Sequence, residues 1–262
     1  MSRIAATFDR LRRNGGHGLV TYVTAGDPDL NRSRDVLLAL DRGGADVIEV
    51  GVPFSDPVAD GPSIQRASDR ALAAGGSLSA TLDLVASVRS TVAAPIVLFT
   101  YVNPVLRMGA DRFLDRAKSV GIDGVLMLDL PIEESEATER KLRQRALDQI
   151  FLVSPTTSDA RLRHAADLGS GFLYAISRLG VTGTRDAVSR SAAPLVQRIR
   201  AASRLPVALG FGISRPEHVK EVWEFADAAV VGSALVDVID RAAQRGEPPD
   251  REVEAFVRWL KS

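Results

Sequence analysis

Cysteine is absent from the 262 residues, which excludes disulfides, thiolate metal sites and a cysteine nucleophile together, and suits a reducing, cytoplasmic setting. Histidine is scarce: His17, His164 and His218 lie far apart, without the spacing of a zinc site. Net charge is missing too. The 33 basic residues balance 33 acidic ones, so no field draws nucleic acid or an anionic membrane surface. No apolar run approaches the roughly 20 residues of a membrane-spanning helix. The opening MSRIAATFDRLRRNGG is basic but holds Asp9 and lacks an apolar centre. It reads as a short amphipathic helix with Ile4, Phe8 and Leu11 on one face, not as a secretion signal. Linkers and low-complexity stretches are also lacking. These absences leave a small-molecule ligand or a neutral protein surface as the expected partner.

What is present is one unit repeated. Gly18 to Thr24 is a first strand, followed by the turn Ala25-Gly26-Asp27-Pro28 and a helix from about Asn31 to Asp41. Val47 to Gly51 is a second strand, with helical pattern through Ile64 to Leu72 and again from Ser77 to Val92. Further strands are expected at Pro95 to Tyr101, Gly124 to Asp129, Ile150 to Val153, Phe172 to Ile176, Val207 to Gly210 and Ala228 to Val231. Helical segments separate them near Ala110 to Val120, Asp159 to Leu168, Ala193 to Ala202 and Pro216 to Phe225. Pro131 with Glu133, Glu134 and Glu136 opens another, as a first helical turn prefers. A last helix near Arg251 to Leu260 closes the chain. About eight apolar strands alternating with helices imply parallel β/α units with right-handed crossovers. In a chain of this length they match a closed barrel better than an open doubly wound sheet, and no GxGxxG follows the first strand. The expected fold is α/β: a single (β/α)8 barrel of the TIM type, one domain over residues 1–262, with an extra N-terminal helix.

The densest chemistry lies in VIEVGVPFSDPVADGPSIQ, Val47 to Gln65. Glu49 interrupts an apolar strand, where a carboxylate must be paired, hydrogen-bonded or shifted in pKa. Pro53, Pro57, Gly61 and Pro62 make the following loop stiff and non-helical, and the Asp60-Gly61 turn returns Asp60 over the strand end. Both acids fit catalysis or, equally physically, structural ion pairing.

In such barrels function sits where strands end. Gly210 to Ser214 (GFGIS) and Gly232-Ser233, the latter opening a short helix from Ala234 to Ile239, fit the phosphate site of barrel enzymes: glycines let backbone amides approach and a helix N-terminus adds partial positive charge. The other reading is tight turns alone. The long loop from Ser177 to about Arg190, with Gly180, Thr182, Gly183 and Thr184, is either a lid or a surface loop. Tyr101 and Tyr174 are either core aromatics or substrate contacts. Asp129 is either an N-cap of the next helix or a site residue. Asn103-Pro104 reads as a turn.

Five strings, TAGDP, IEVGVPFSDPVADGPSIQ, YVNPV, SRLGVTGTR and GFGIS, resemble the α subunit of tryptophan synthase in order and spacing over nearly the entire chain. The resemblance implies cofactor-free retro-aldol cleavage of indole-3-glycerol phosphate to indole and glyceraldehyde 3-phosphate. It also implies a β-subunit partner in an α2β2 heterotetramer, whose pyridoxal phosphate joins the indole to serine. Carried over by motif, Glu49 is the acid/base near indole C3 and Asp60 the acid at the indole N–H. Tyr22, Ile64, Phe99, Tyr101, Leu126, Asp129 and Tyr174 fall in the substrate pocket, with Thr182 and Gly183 on its lid. Gly183, Gly210, Phe211, Gly212, Gly232 and Ser233 fall at the phosphate. Tyr22 and Phe99 stand where the family pattern suggests Phe and an aliphatic residue. The loop from Pro53 to Pro62 and the stretch from Asn103 to Met108 correspond to the β-subunit contact face. Glu49, set in an apolar barrel mouth, is expected to have a raised pKa. Three other readings remain open: a free-standing lyase without a β partner, a catalytically silent allosteric barrel, and another phosphate-binding barrel such as a sugar-phosphate epimerase. The last would want metal ligands or a lysine at a strand end, and the strand ends offer neither.

Overall fold

A computed structural model of the chain describes residues 1–176, 187–210 and 212–262. Eight parallel strands hydrogen-bond in chain order and close on themselves. They are β1 Gly18–Thr24, β2 Val47–Gly51, β3 Ile96–Thr100, β4 Gly124–Met127, β5 Asp148–Val153, β6 Leu173–Ile176, β7 Val207–Gly210 and β8 Ala228–Val231. The closing pairing sets Val20 against Val230 and Thr21 against Val231. Helices link successive strands around the outside, giving the (β/α)8 barrel.

The strands are apolar on both faces because both are covered; every residue of β1 and β2 is buried. Outward residues such as Ile48, Val50, Leu98 and Leu209 pack against the helices. Inward ones, among them Val20, Val47, Val97, Ile150, Phe172 and Val230, fill the barrel. A period of two therefore puts Val47, Glu49 and Gly51 on the inner face of β2.

The amphipathic N-terminal segment forms helix Arg3–Arg13, capped by the Ser2 side chain, which accepts from the Ala5 N–H at 3.2 Å. It lays Ile4 and Phe8 into the inner cluster at the N-terminal end of the strands, with the Phe8 and Phe172 rings 5.7 Å apart. Gly124 leaves room for Ile4, whose Cδ1 stands 2.9 Å from where a side-chain carbon on that glycine would be. Burying each of these two side chains stabilises by about 1.5–3 kcal/mol.

Local signals misplaced three segments. Asn103-Pro104 is not a turn but part of helix Val102–Met108. Pro104 sits in its first turn, where a missing N–H costs no hydrogen bond. The helix expected to open at Pro131 is a 3-10 turn, Ile132–Glu134, and the α-helix proper begins at Glu136. The helix expected over Ala234 to Ile239 runs Ser233–Gln244 because its apolar stripe continues through Ala242, which is fully buried. Among the described residues no single helix is long and apolar enough to cross a membrane.

Candidate active site

Glu49 lies mid-barrel on β2, in register between Tyr22 of β1 and Val97 of β3. Its side chain is fully buried, and among the described residues neither carboxyl oxygen has a hydrogen-bond partner. Burial with nothing to stabilise the charged form pushes its pKa up to about 8. At neutral pH the group is therefore a protonated acid in an apolar chamber, a form it can hold only because it is neutral.

Asp60 arrives from the loop after β2. The Asp60 N–H donates to the Pro57 carbonyl at 3.0 Å, and Gln65 Nε2 donates to the Asp60 carbonyl at 2.9 Å, which closes the loop against the start of helix Pro62–Ala73. Tyr101, at the end of β3, donates its hydroxyl to Asp60 Oδ2 at 3.1 Å and accepts the Ala59 N–H at 3.1 Å. Its ring rests on Phe54 at 5.0 Å. Burial raises the Asp60 pKa, and the Tyr101 hydrogen bond opposes that rise by favouring the ionised form. Tyr101 is thus a buried aromatic with a satisfied hydroxyl, and the group that satisfies it is Asp60.

Tyr22 and Phe99 meet edge to face at 5.1 Å. Tyr22 also packs with Ala67 and Val236, and Ile64 lies against the same cluster. The Tyr22 hydroxyl stands 3.4 Å from Thr24 Oγ1 and presses on Gly51, where any side-chain carbon would overlap it. Burial holds that hydroxyl protonated far above its ordinary range, and the charges of Asp60 and Glu49 add to the effect. Tyr174 of β6 is likewise held protonated by burial and by the Glu49 charge. Its hydroxyl would lie 2.6 Å from a side-chain carbon at Gly210, so both tyrosines need a glycine on the neighbouring strand. Leu126 is fully buried in the inner cluster beside these groups.

Asp129 has a contact that its sequence surroundings do not suggest. Its Oδ1 accepts the Val102 N–H at 2.7 Å, so it caps helix Val102–Met108 behind β3 and not the helix that follows it. A second group absent from the sequence reading is Arg70, which grips the buried carboxylate of Asp27 with two hydrogen bonds and approaches Asp240.

On the opposite rim, Gly210 ends β7 and Gly212 adopts a positive φ of 74°. Gly232 precedes helix Ser233–Gln244, whose first turn has no side-chain cap; the Leu235 and Val236 N–H groups bond back to the Gly232 carbonyl, which leaves those of Ser233 and Ala234 at the turn to meet an anion. A side-chain carbon at Gly232 would lie 3.4 Å from the Tyr22 Cβ, which brings this rim beside the aromatic wall. Thr182, Gly183 and Phe211 lie outside the described residues. Among the described residues no group of three His, Cys, Asp or Glu side chains is arranged to hold a metal. The surface near the acid loop exposes Val58 (87%) and Leu106 (66%).

Residues 8–262 match the family model described as tryptophan synthase alpha chain. A protein of that name from Solibacter usitatus is 47% identical over 261 residues, covering 100% of this chain and 97% of the relative. The crystal structure of the alpha subunit from Legionella pneumophila superposes with a TM-score of 0.92 at 36% identity, covering 100% of this chain and 97% of that one. A structure of the tryptophan synthase a2b2 complex from Pyrococcus furiosus aligns with a TM-score of 0.86 at 39% identity, over 93% of this chain and 97% of that one.

Proposed function

Because the chain belongs to the tryptophan synthase alpha chain family and cleaves indole-3-glycerol phosphate to indole and glyceraldehyde 3-phosphate, we propose that Glu49 and Asp60 divide the work of that cleavage between them. The observation that carries this division is the contrast between the acids: Glu49 is buried, without a hydrogen-bond partner among the described residues and raised to about 8, whereas Asp60 takes a hydrogen bond that favours its ionised form.

Protonated Glu49 gives its proton to indole C3, which makes the ring an indolenine with a positively charged C=N. The Glu49 carboxylate then removes the proton from the hydroxyl on the carbon attached to C3. As that oxygen becomes a carbonyl, the bond between C3 and the side chain breaks. Its electron pair restores the C2=C3 double bond while the C=N pair returns to nitrogen. One proton enters and one leaves, so Glu49 ends as it began and no cofactor is needed. Asp60 faces the ring nitrogen and stabilises the charge that develops there. A positioned acid or base of this kind contributes typically about 10²–10⁴-fold.

Tyr22, Ile64, Phe99, Leu126 and Tyr174 wall the ring, and the amides at Gly212, Gly232 and Ser233 hold the ester phosphate. Asp129 and Tyr101 support the pocket through the helix cap and the Asp60 hydrogen bond. Thr182, Gly183 and Phe211 complete the lid and phosphate rim by motif. Replacing Glu49 with Gln should abolish indole release while glycerol 3-phosphate still binds; retained turnover removes Glu49 from the mechanism.

The partner is a β subunit in an α2β2 complex, and the compartment is the cytoplasm. Exposed Val58 and Leu106 on adjacent segments support docking there. Mixing with a pyridoxal-phosphate-loaded β subunit should give a stable complex by light scattering and raise the cleavage rate. A chain that stays alone at micromolar concentration would favour a free-standing lyase.

A further inference from the structure

Arg70 joins three elements that meet at the site. Its Nε and Nη2 donate to the two oxygens of Asp27 at 2.8 and 2.9 Å, and its Nη1 lies 3.0 Å from Asp240 Oδ1. The Asp27 side chain is fully buried, and those of Arg70 and Asp240 are 27% and 18% exposed. Asp27 stands in the turn after β1, the strand that carries Tyr22. Arg70 stands on helix Pro62–Ala73, which begins directly after Asp60 and Gly61. Asp240 stands on helix Ser233–Gln244, whose first turn is the phosphate seat proposed above. Between these two helices Ala67 and Val236 pack beneath Tyr22, and Arg66 faces Asp237 at 4.0 Å.

Compensating a buried Asp27 would require only one charge. Engagement of all three guanidinium nitrogens, with acids on two further elements, is the work of a planar fork that a lysine cannot reproduce. We infer that Arg70 is a positioning residue for the cleavage reaction: it fixes the helix behind Asp60 against the helix that seats the phosphate, so that the acid and the ester tail keep one spacing. The consequence is that phosphate bound at Gly232 and Ser233 is registered at Asp60, some way across the barrel mouth. A shift of about 1 Å in such a placement costs on the order of 10²-fold in rate.

The inference rests on the function proposed above, and the experiment separates the two. Wild type, Arg70→Lys and Asp240→Asn are compared as full chains; Asp240→Asn removes one arm and leaves the Asp27 pair, so it decides the matter should Arg70→Lys not fold. Indole release, melting temperature, glycerol 3-phosphate affinity by calorimetry, and the Ala59 and Asp60 amide resonances during glycerol 3-phosphate titration are measured. Arg70→Lys should lower kcat by 10- to 100-fold. Asp240→Asn should bind glycerol 3-phosphate within about fivefold of wild type, yet show less than half the wild-type displacement of the two amide resonances. Variants that lose melting temperature but keep kcat, KM and the amide displacements would make Arg70 merely structural and overturn the inference. A wild-type chain that releases no indole would instead overturn the reading of function.

Discussion

Tyr101 holds Asp60 from two directions: its hydroxyl donates to Asp60 Oδ2 at 3.1 Å and accepts the N–H of the preceding Ala59 at 3.1 Å. A single oxygen at the end of β3 thus sets both the side chain and the backbone of the acid loop.

Tyr101→Phe removes that oxygen and leaves the ring on Phe54. A hydrogen bond to a charged acceptor is worth about 1.5–3 kcal/mol, so indole release should fall roughly 10- to 100-fold. Burial already raises the Asp60 pKa and the hydroxyl opposes it. Without the hydroxyl the pKa rises further, and the acidic limb of the kcat profile should move to higher pH. An unmoved limb would deny Tyr101 this role.

Glu49 titrates near pH 8 in the folded chain and near 4.5 when exposed. Folding therefore takes up a proton between those values, so the contribution to stability is full below about 4.5 and is lost as pH rises through 8. Glu49→Gln cannot ionise. Its stability relative to wild type, read from denaturant midpoints, should rise by an amount that grows from pH 5 to pH 9, bounded by about 5 kcal/mol. Wild-type indole release should decline tenfold per unit above the Glu49 pKa. A margin that stays flat across the range contradicts the titration.

Gly51→Ala places a carbon on the Tyr22 hydroxyl and 2.6 Å from its Cζ. Overpacking of this kind costs about 1–3 kcal/mol, and the ring must swing into the pocket. KM for indole-3-glycerol phosphate should rise, and Tyr22→Phe should not restore it, because the ring carbon collides as well. A normal KM in the single variant would show that the two strands part without disturbing the pocket.

Phe8→Ala should lower stability by about 3–5 kcal/mol, seen in denaturant midpoints, while kcat of the folded chain stays within twofold of wild type. Phe8 touches Phe172 at the far end of the barrel from the acids. A matching loss of kcat would mean that the floor and the rim are coupled.

How much of this was legible in the sequence depended on how local each cause is. β1, β2, β7 and β8 were readable to the residue because doubly covered apolar runs end abruptly at glycine or at a turn. Glu49 stood out because a carboxylate in such a run requires a reason. Helix Val102–Met108 was hidden because its capping acid, Asp129, comes from the loop after the next strand, 27 residues on. The Asp27–Arg70 pair spans 43 residues and follows from the packing of helices that no local pattern sets side by side. Tyr101 could be named as a strand-end tyrosine, but its grip on Asp60 depends on how the proline-rich loop folds back.

The N-terminal helix beneath the strands makes the barrel blind-ended. With Ile4, Phe8 and Phe172 stopping the base, a neutral bicycle freed beside Glu49 has no drain below and must depart upward, through the aperture by which the ester came in. Whatever protein sits on that aperture inherits the product by geometry alone.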